Sequence, residues 1–195
     1  MYVNLTKTRN RPLCAHPYLA MLEHTFFNKI YKLTLNVRRN HAIEHATVSI
    51  LTEQISKSAV VGFAVPSGFI IYSKSGKDEI LSAANNGLNL MKSGDSEISI
   101  SQFCGTNLVV AALLTGVSTV ILGKICGKKS KNILNIANGF VLSALLSKPI
   151  GRIVQKYVTT DPRVQNIQIK NGRSLKIGSF YIHFISTDYD ELHSD

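Results

Sequence analysis

The spacing of apolar and polar residues divides the first hundred residues into helical and extended segments. Apolar residues recur three or four positions apart in the helical segments, whereas the extended segments are short and rich in Val, Ile and Phe. Helices are predicted over residues 18–35, 38–57 and 78–92. Strands are predicted over residues 59–65, 69–72 and 97–101. Pro66-Ser67-Gly68 between the first two strands is typical of a tight turn, so these strands are predicted to pair as a hairpin.

The middle of the chain has a different pattern. Residues 104–123 are a run of 20 without a charge, and a helix of that length spans about 30 Å, the thickness of a bilayer core. A lysine-rich loop over 124–132 connects it to a second apolar run, 133–147, which Pro149 is expected to kink or end. The pattern predicts a two-helix transmembrane hairpin over 104–157. A buried helical hairpin in a soluble core is the alternative.

The last part of the chain alternates again. Residues 164–169 and 174–177 flank Asn171-Gly172, a dipeptide that favours a β-hairpin turn, and residues 180–185 predict another strand. The fold class is therefore predicted to be α+β, in four parts. These are a flexible arm (1–16), an α+β part (17–101), the transmembrane hairpin (104–157), and a C-terminal β element with its tail (158–195).

Composition supports a membrane partner. Only 17% of residues are charged, yet the formal net charge is +10, a combination that suits a protein in contact with anionic lipid. The basic residues are dispersed without interleaved aromatics, so nucleic acid is not an expected partner, whereas the question of a protein partner stays open. We therefore predict an integral, multi-pass membrane protein. The lysines of the 124–132 loop and those after residue 147 favour opposite orientations, which leaves the orientation open.

One segment proposes specific chemistry: His41-Ala-Ile-Glu44-His45, an H-x-x-E-H sequence that is the inverted form of a zinc-peptidase signature. Helical residues at i, i+3 and i+4 share a face, so His41 and His45 are predicted to bind one Zn²⁺ ion, with Glu44 as general base. A catalytic zinc site needs a third protein ligand. Cys104 is the predicted third ligand, and His24, Glu79 and Asp161 are alternatives that the spacing does not exclude.

Each of these residues also has a simpler interpretation. His41 and His45 are equally compatible with a solvated helix face or with hydrogen bonds to core backbone. Cys104 begins Cys104-Gly105-Thr106-Asn107, where Thr106 or Asn107 would cap the apolar helix and the thiol would pack as a small apolar group. The three cysteines form no C-x-x-C pair, so no disulfide framework is indicated, and the N-terminus lacks the pattern of a cleavable signal peptide. The Thr159-Thr160-Asp161 segment is predicted to turn the chain after the second apolar helix, near Cys104.

The order of these motifs resembles DUF6391, a family of uncharacterised membrane proteins. The resemblance covers roughly residues 38–170. It is carried by Asn40-His41-Ala-Ile-Glu44-His45-Ala-Thr47, Cys104-Gly-Thr-Asn107, Pro149-Ile-Gly151 and Val158-Thr-Thr160. It implies an integral membrane protein and assigns no activity.

The sequence therefore predicts an integral membrane protein with a metal site on the H-x-x-E-H helix and the activity of a zinc-dependent hydrolase. The alternative is a non-enzymatic membrane protein that binds a partner or a histidine-ligated cofactor.

Overall fold

The computed structural model describes residues 17–54, 60–125 and 132–189; the predicted arm and most of the acidic tail lie outside these ranges. The chain forms two compact units, residues 1–33 and 34–195. Helix α1 runs from Pro17 to Gln54 without interruption, so the prediction of two successive helices is wrong. The reason is local: no proline or glycine follows Pro17 until Gly62, and nothing therefore breaks the helix.

The four strands form one antiparallel sheet in the order β1-β2-β4-β3. They are β1 (Val61–Val65), β2 (Gly68–Ser73), β3 (Ile167–Ile177) and β4 (Phe180–Tyr189). The first hairpin is confirmed, with Val65 opposite Gly68. Because β2 pairs with β4, the strands before and after the apolar helices share a single sheet.

The second hairpin was predicted to turn at Asn171-Gly172, but it does not turn there. Strand β3 continues through this dipeptide, with a register irregularity between Ile169 and Asn171, and the chain turns at Gly178. Gly178 has a φ of 60°, the left-handed conformation that a tight turn needs. Gly172 instead serves packing, since a Cβ there would lie 3.0 Å from Ile185 and 3.1 Å from Leu81.

The hydrophobic core joins the second half of α1, helix α2 (Lys77–Lys92) and the sheet. Its fully buried side chains include Ala42, Ile43, Leu51, Phe69, Ile71, Ile80 and Ile185. Helix α2 is confirmed, but the strand predicted at 97–101 is a 3₁₀ turn, Glu97–Ser99. The Ser99 N–H and hydroxyl both bond the Ser96 carbonyl, at 3.2 and 2.6 Å, and this local bonding replaces a strand ladder.

Helices α3 (Gly105–Ile125) and α4 (Asn132–Val154) pack side by side as antiparallel neighbours. The hydroxyls of Thr115 and Ser143 lie 2.6 Å apart between them. Pro149 was predicted to kink or end the helix; it does not end α4, which continues to Val154 and packs against α3 on both sides of the proline. Ser143 lies before it, and Gly151 lies after it against Asn107. A π-helical turn, Gln155–Thr159, follows.

Among the described residues, α3 is the one helix whose length and composition would let it cross a membrane. A single helix of this kind is weak evidence for a span. Within the described residues, helix α4 does not meet the same criterion; Lys148 and Arg152 lie in its second half. The structure therefore supports a pair of packed helices, of which one is long and apolar enough to span a membrane. It does not support the predicted multi-pass arrangement of two transmembrane helices.

Candidate metal centre

The H-x-x-E-H segment lies on the buried part of α1, and its polar residues face inward. Glu44 is 5% exposed and His45 is 2% exposed, which excludes the interpretation of a solvated helix face. The imidazole rings of His41 and His45 are 4.3 Å apart between centroids. Two imidazoles and a carboxylate are therefore gathered inside the protein on one helical face, as the spacing predicts.

Cys104 joins this group from a distant part of the chain. It immediately precedes α3, and its Sγ lies 3.4 Å from the Nε2 of His41. One donor atom from each of His41, His45 and Cys104 falls within 4.8 Å of the others. Three ligands of one zinc ion lie roughly 3.3–3.8 Å apart when bond lengths are roughly 2.0–2.3 Å. The group could thus hold a metal ion after a small contraction.

Backbone carbonyls bind and orient both histidines, so the interpretation of hydrogen bonds to core backbone is confirmed. The Nδ1 of His41 lies 3.0 Å from the Thr159 carbonyl oxygen, and the Nδ1 of His45 lies 2.7 Å from that of Ser99. A carbonyl can only accept, so in each ring Nδ1 carries a proton, and in the neutral imidazole Nε2 then has the free lone pair that a metal ion binds. Metal-binding histidines almost always show this arrangement, in which the ring nitrogen away from the metal donates to a fixed oxygen.

Glu44 lies beside the Nε2 atoms of His41 and His45, but it is not one of the three residues whose donor atoms converge. Its Oε2 is 3.9 Å from the Nε2 of His41 and 3.7 Å from that of His45. Burial raises the pKa of Glu44 to about 7, although the electrostatic interaction with His41 lowers it. Strand β1 covers the carboxylate at Gly62, where a Cβ would lie 1.7 Å from Oε1. The glycine is needed there because no side chain fits between the strand and Glu44.

The Cys104 thiol is placed at the N-terminal end of α3. Its sulfur accepts the Thr106 N–H at 3.4 Å and lies 3.3 Å from the Thr106 hydroxyl. Burial alone would raise the pKa of Cys104, but hydrogen bonds with His45 and Thr106 outweigh it and the pKa falls below its usual value. The positive end of a helix also favours an anion. Cys104 is therefore prepared to act as a thiolate, the form that binds metal, and it does not simply pack as an apolar group.

Gln155, which is 1% exposed, fixes the loop that carries Cys104. Its Oε1 accepts the Ser101 N–H at 2.9 Å, and its Nε2 donates to the Ser101 carbonyl at 3.0 Å and to the Asn107 side chain at 2.9 Å. Gln155 also opens the π-helical turn that ends at Thr159, whose carbonyl holds His41. One residue at the end of α4 thus sets the position of Cys104 and begins the turn that orients His41.

Replacement of Gln155 by Ala is expected to lower metal affinity by about 10–100-fold, the usual cost of losing a residue that orients the ligands. Gln155→Glu should be no better, because its carboxylate would face the Ser101 carbonyl and the Asn107 oxygen. The measurement is Co²⁺ titration, followed through the thiolate charge-transfer band of Cys104. The exposed Gln165→Ala is the control and should bind like wild type. Equal affinity in all four proteins would remove Gln155 from the site.

The other predicted ligands lie elsewhere or outside the described side chains. Glu79 is exposed on α2, and the side chain of His24 is outside the described part. Asp161 is bound to Arg163, with oxygen–nitrogen distances of 2.9 and 2.8 Å, and has a lowered pKa. Burial raises the pKa of Asp161, but the hydrogen bonds and charge of Arg163 outweigh this. Thr159, two residues before Asp161, contributes a carbonyl oxygen to the site, and the sequence had placed this segment near Cys104.

Sequence reasoning did not find Ser99, Gln155 or Gly62. Ser99 acts through its backbone carbonyl, which no residue type reveals. Gln155 could have been suspected as a polar residue a few positions before Thr159. Gly62 could have been suspected as a glycine inside a predicted strand, because such a glycine often marks a place where another group lies close to the backbone.

Comparison with known proteins adds a family and no activity. The model of a domain of unknown function, DUF6391, matches residues 36–171, more than half of the chain. An uncharacterized protein from Picosynechococcus sp. is 24% identical over 139 residues, which cover 65% of this chain and 66% of that relative, slightly less than two thirds of its length. No solved structure matches. His41, Glu44, His45 and Cys104 all fall within the matched range, and this chain belongs to the DUF6391 family.

Proposed function

We propose that the protein is a metal-dependent hydrolase in which His41, His45 and Cys104 bind a zinc ion. The observation that carries the proposal is the convergence of these three donors beside a buried carboxylate. Two imidazoles and a thiolate suit zinc better than Mg²⁺ or Ca²⁺, which prefer oxygen ligands. Three protein ligands leave a fourth position open, which distinguishes catalytic zinc sites from closed structural ones.

The roles of the side chains follow from their positions. When bound, the ion would act as a Lewis acid toward the carbonyl group of a substrate. Glu44 accepts a proton from water as the water oxygen attacks that carbonyl carbon. It then returns the proton to the departing oxygen or nitrogen as the scissile bond breaks. The buried position of Glu44 and the contact with Gly62 keep its carboxylate aimed at the two Nε2 atoms.

The first test is metal content. Protein purified without chelators is expected to contain close to one zinc per chain, and His41→Ala and His45→Ala should each lose it, since two remaining ligands bind weakly. Elemental analysis of the purified proteins measures this, and far-UV circular dichroism checks that the variants fold. Glu79→Ala, which removes an exposed acid on α2, is the control and should retain zinc.

Absence of any metal in wild type, combined with no uptake of zinc or cobalt on titration, would overturn the proposal. Another transition metal at the same stoichiometry, lost in both histidine variants, would retain the site and replace the proposed ion.

We further propose that α3 and α4 cross or enter a membrane together. Apart from the buried Val110, all residues of α3 are at least partly exposed, although α3 carries almost no charge. Large apolar side chains on both helices are exposed, namely Leu108, Val109, Leu113, Val117, Val120, Ile121, Ile125, Ile136, Phe140, Val141, Leu142, Leu145 and Leu146. Water is an unfavourable solvent for so large an apolar surface, whereas lipid is not. Gly139 packs closely against Thr119, as small residues do between helices in lipid.

A further inference from the structure

We infer that the metal centre lies at the depth of the lipid headgroups, with the rim around Cys104 inserted into the interface. This inference rests on the proposed membrane entry of α3 and α4. It goes further, because it places the site relative to the bilayer and identifies the residues that contact the lipid.

Contacts between α3 and α4 show which end of the helix pair lies next to the metal centre. Thr115 pairs with Ser143, and Gly151 lies against Asn107, so α3 and α4 are antiparallel with residues 105 and 154 at the same end. Cys104 and the π-helical turn lie at this end, and Ile125 lies at the other. The 21 residues of α3 are about 31 Å long at 1.5 Å per residue. A helix of that length crosses a bilayer core of about 30 Å with Cys104 at one face.

The rim consists of four large apolar residues next to the metal centre: Phe103, Leu108, Tyr157 and Val158. Their exposed fractions are 90%, 75%, 68% and 61%. Phe103 precedes the ligand Cys104, and Val158 precedes Thr159, whose carbonyl binds His41. Exposed aromatic residues at the end of an apolar helix are typical of the membrane–water interface.

Basic residues occupy the same end of the helix pair. Lys148, Arg152 and Lys156 are exposed over the last turns of α4 and the π-helical turn. Arg152 and Lys156 have a partner in Glu97, at 2.5 and 3.8 Å. One carboxylate against three cations leaves an excess of positive charge beside the rim. Anionic phospholipid headgroups complement that charge, and the acyl chains below them complement the rim. The occupant of this surface is therefore an anionic bilayer.

The chain contains no tryptophan, which makes the depth of each residue directly measurable. Three single-tryptophan proteins are reconstituted into vesicles of phosphatidylcholine and phosphatidylglycerol. The vesicles carry either lipids brominated at mid-chain or lipids spin-labelled on the headgroup. Phe103→Trp reports on the rim and Val117→Trp on the middle of α3. Ile177→Trp is the control, because Ile177 pairs with Phe180, seven residues or about 23 Å along β4 from Thr187, which bonds Asn40 next to His41.

The expected result is strong headgroup quenching and weak mid-chain quenching for Phe103→Trp, the reverse for Val117→Trp, and little of either for Ile177→Trp. Zinc binding does not enter the measurement, so its outcome is independent of the metal proposal. Mid-chain quenching of Val117→Trp together with an unquenched Phe103→Trp would overturn the interfacial placement alone. Absence of quenching in both would overturn it together with the membrane entry of α3 and α4.

Discussion

Replacement of Glu44 by Gln is expected to leave zinc bound and to lower hydrolysis by about 10²–10⁴-fold, the usual contribution of a positioned general base. Glutamine is nearly isosteric with glutamate, so the packing against Gly62 is kept, but its amide cannot accept the proton of the attacking water. The measurement is turnover of p-nitrophenyl acetate and of a quenched fluorescent peptide library by zinc-loaded protein. Zinc content is determined on the same samples.

Gly62→Ala tests the same carboxylate from the opposite side. The added Cβ would lie 1.7 Å from Oε1, so Glu44 must move and turnover should fall although every proposed catalytic group is present. Gly76→Ala is the matched control, because a Cβ at position 76 meets no atom within 4 Å. Activity of Glu44→Gln equal to that of wild type, with zinc retained, would remove Glu44 from the mechanism. Normal activity of Gly62→Ala would show that the position of Glu44 is not critical.

The part of the site that lies on α1 was predictable because it depends only on helical geometry. His41, Glu44 and His45 occupy positions i, i+3 and i+4, and any helix brings them to one face. Cys104 is different: it meets His41 across 63 positions of sequence, through the packing of two separate segments. The apolar run that follows Cys104 made it a candidate, but spacing could not choose between Cys104 and Asp161. The structure distinguishes them, because Asp161 is already bound to arginine.

Several departures from the predicted fold arise because tertiary packing overrides a local preference. Asn171-Gly172 favours a turn when read alone, yet β3 continues through it, and the side chains of Leu81 and Ile185 pack closely against Gly172. Pro149 disfavours a helix interior, yet contacts with α3 before and after it hold α4 together. The pairing of β2 with β4 depends on residues more than a hundred positions apart, and no local pattern specifies it. The two strands of the first hairpin were predicted within two residues of their observed bounds, whereas β3 was predicted as two strands and β4 ends four residues later than predicted.

Replacement of Cys104 by Ser is expected to lower metal affinity by more than the roughly 10–100-fold that the loss of a ligand-orienting residue costs, because a metal ligand itself is removed. A serine hydroxyl at the same place stays protonated at neutral pH, whereas hydrogen bonds with His45 and Thr106 outweigh burial and hold the pKa of the Cys104 thiol below its usual value. The cobalt-loaded variant should also lose the thiolate charge-transfer band, a signal that reports on sulfur coordination and not on folding.

Cys126→Ser is the matched control, since it makes the same substitution just after α3 in the sequence and should keep both the affinity and the band. Loss of the band with little change in affinity would mean that Cys104 binds the ion without contributing most of the free energy. Retention of the band in Cys104→Ser would show that the sulfur ligand is another cysteine. A cobalt spectrum without any sulfur band in wild type would leave His41 and His45 as ligands and exclude Cys104. The two histidines would then require an oxygen donor, for which Glu44 is the nearest side chain, at 3.7 Å from His45 and 3.9 Å from His41.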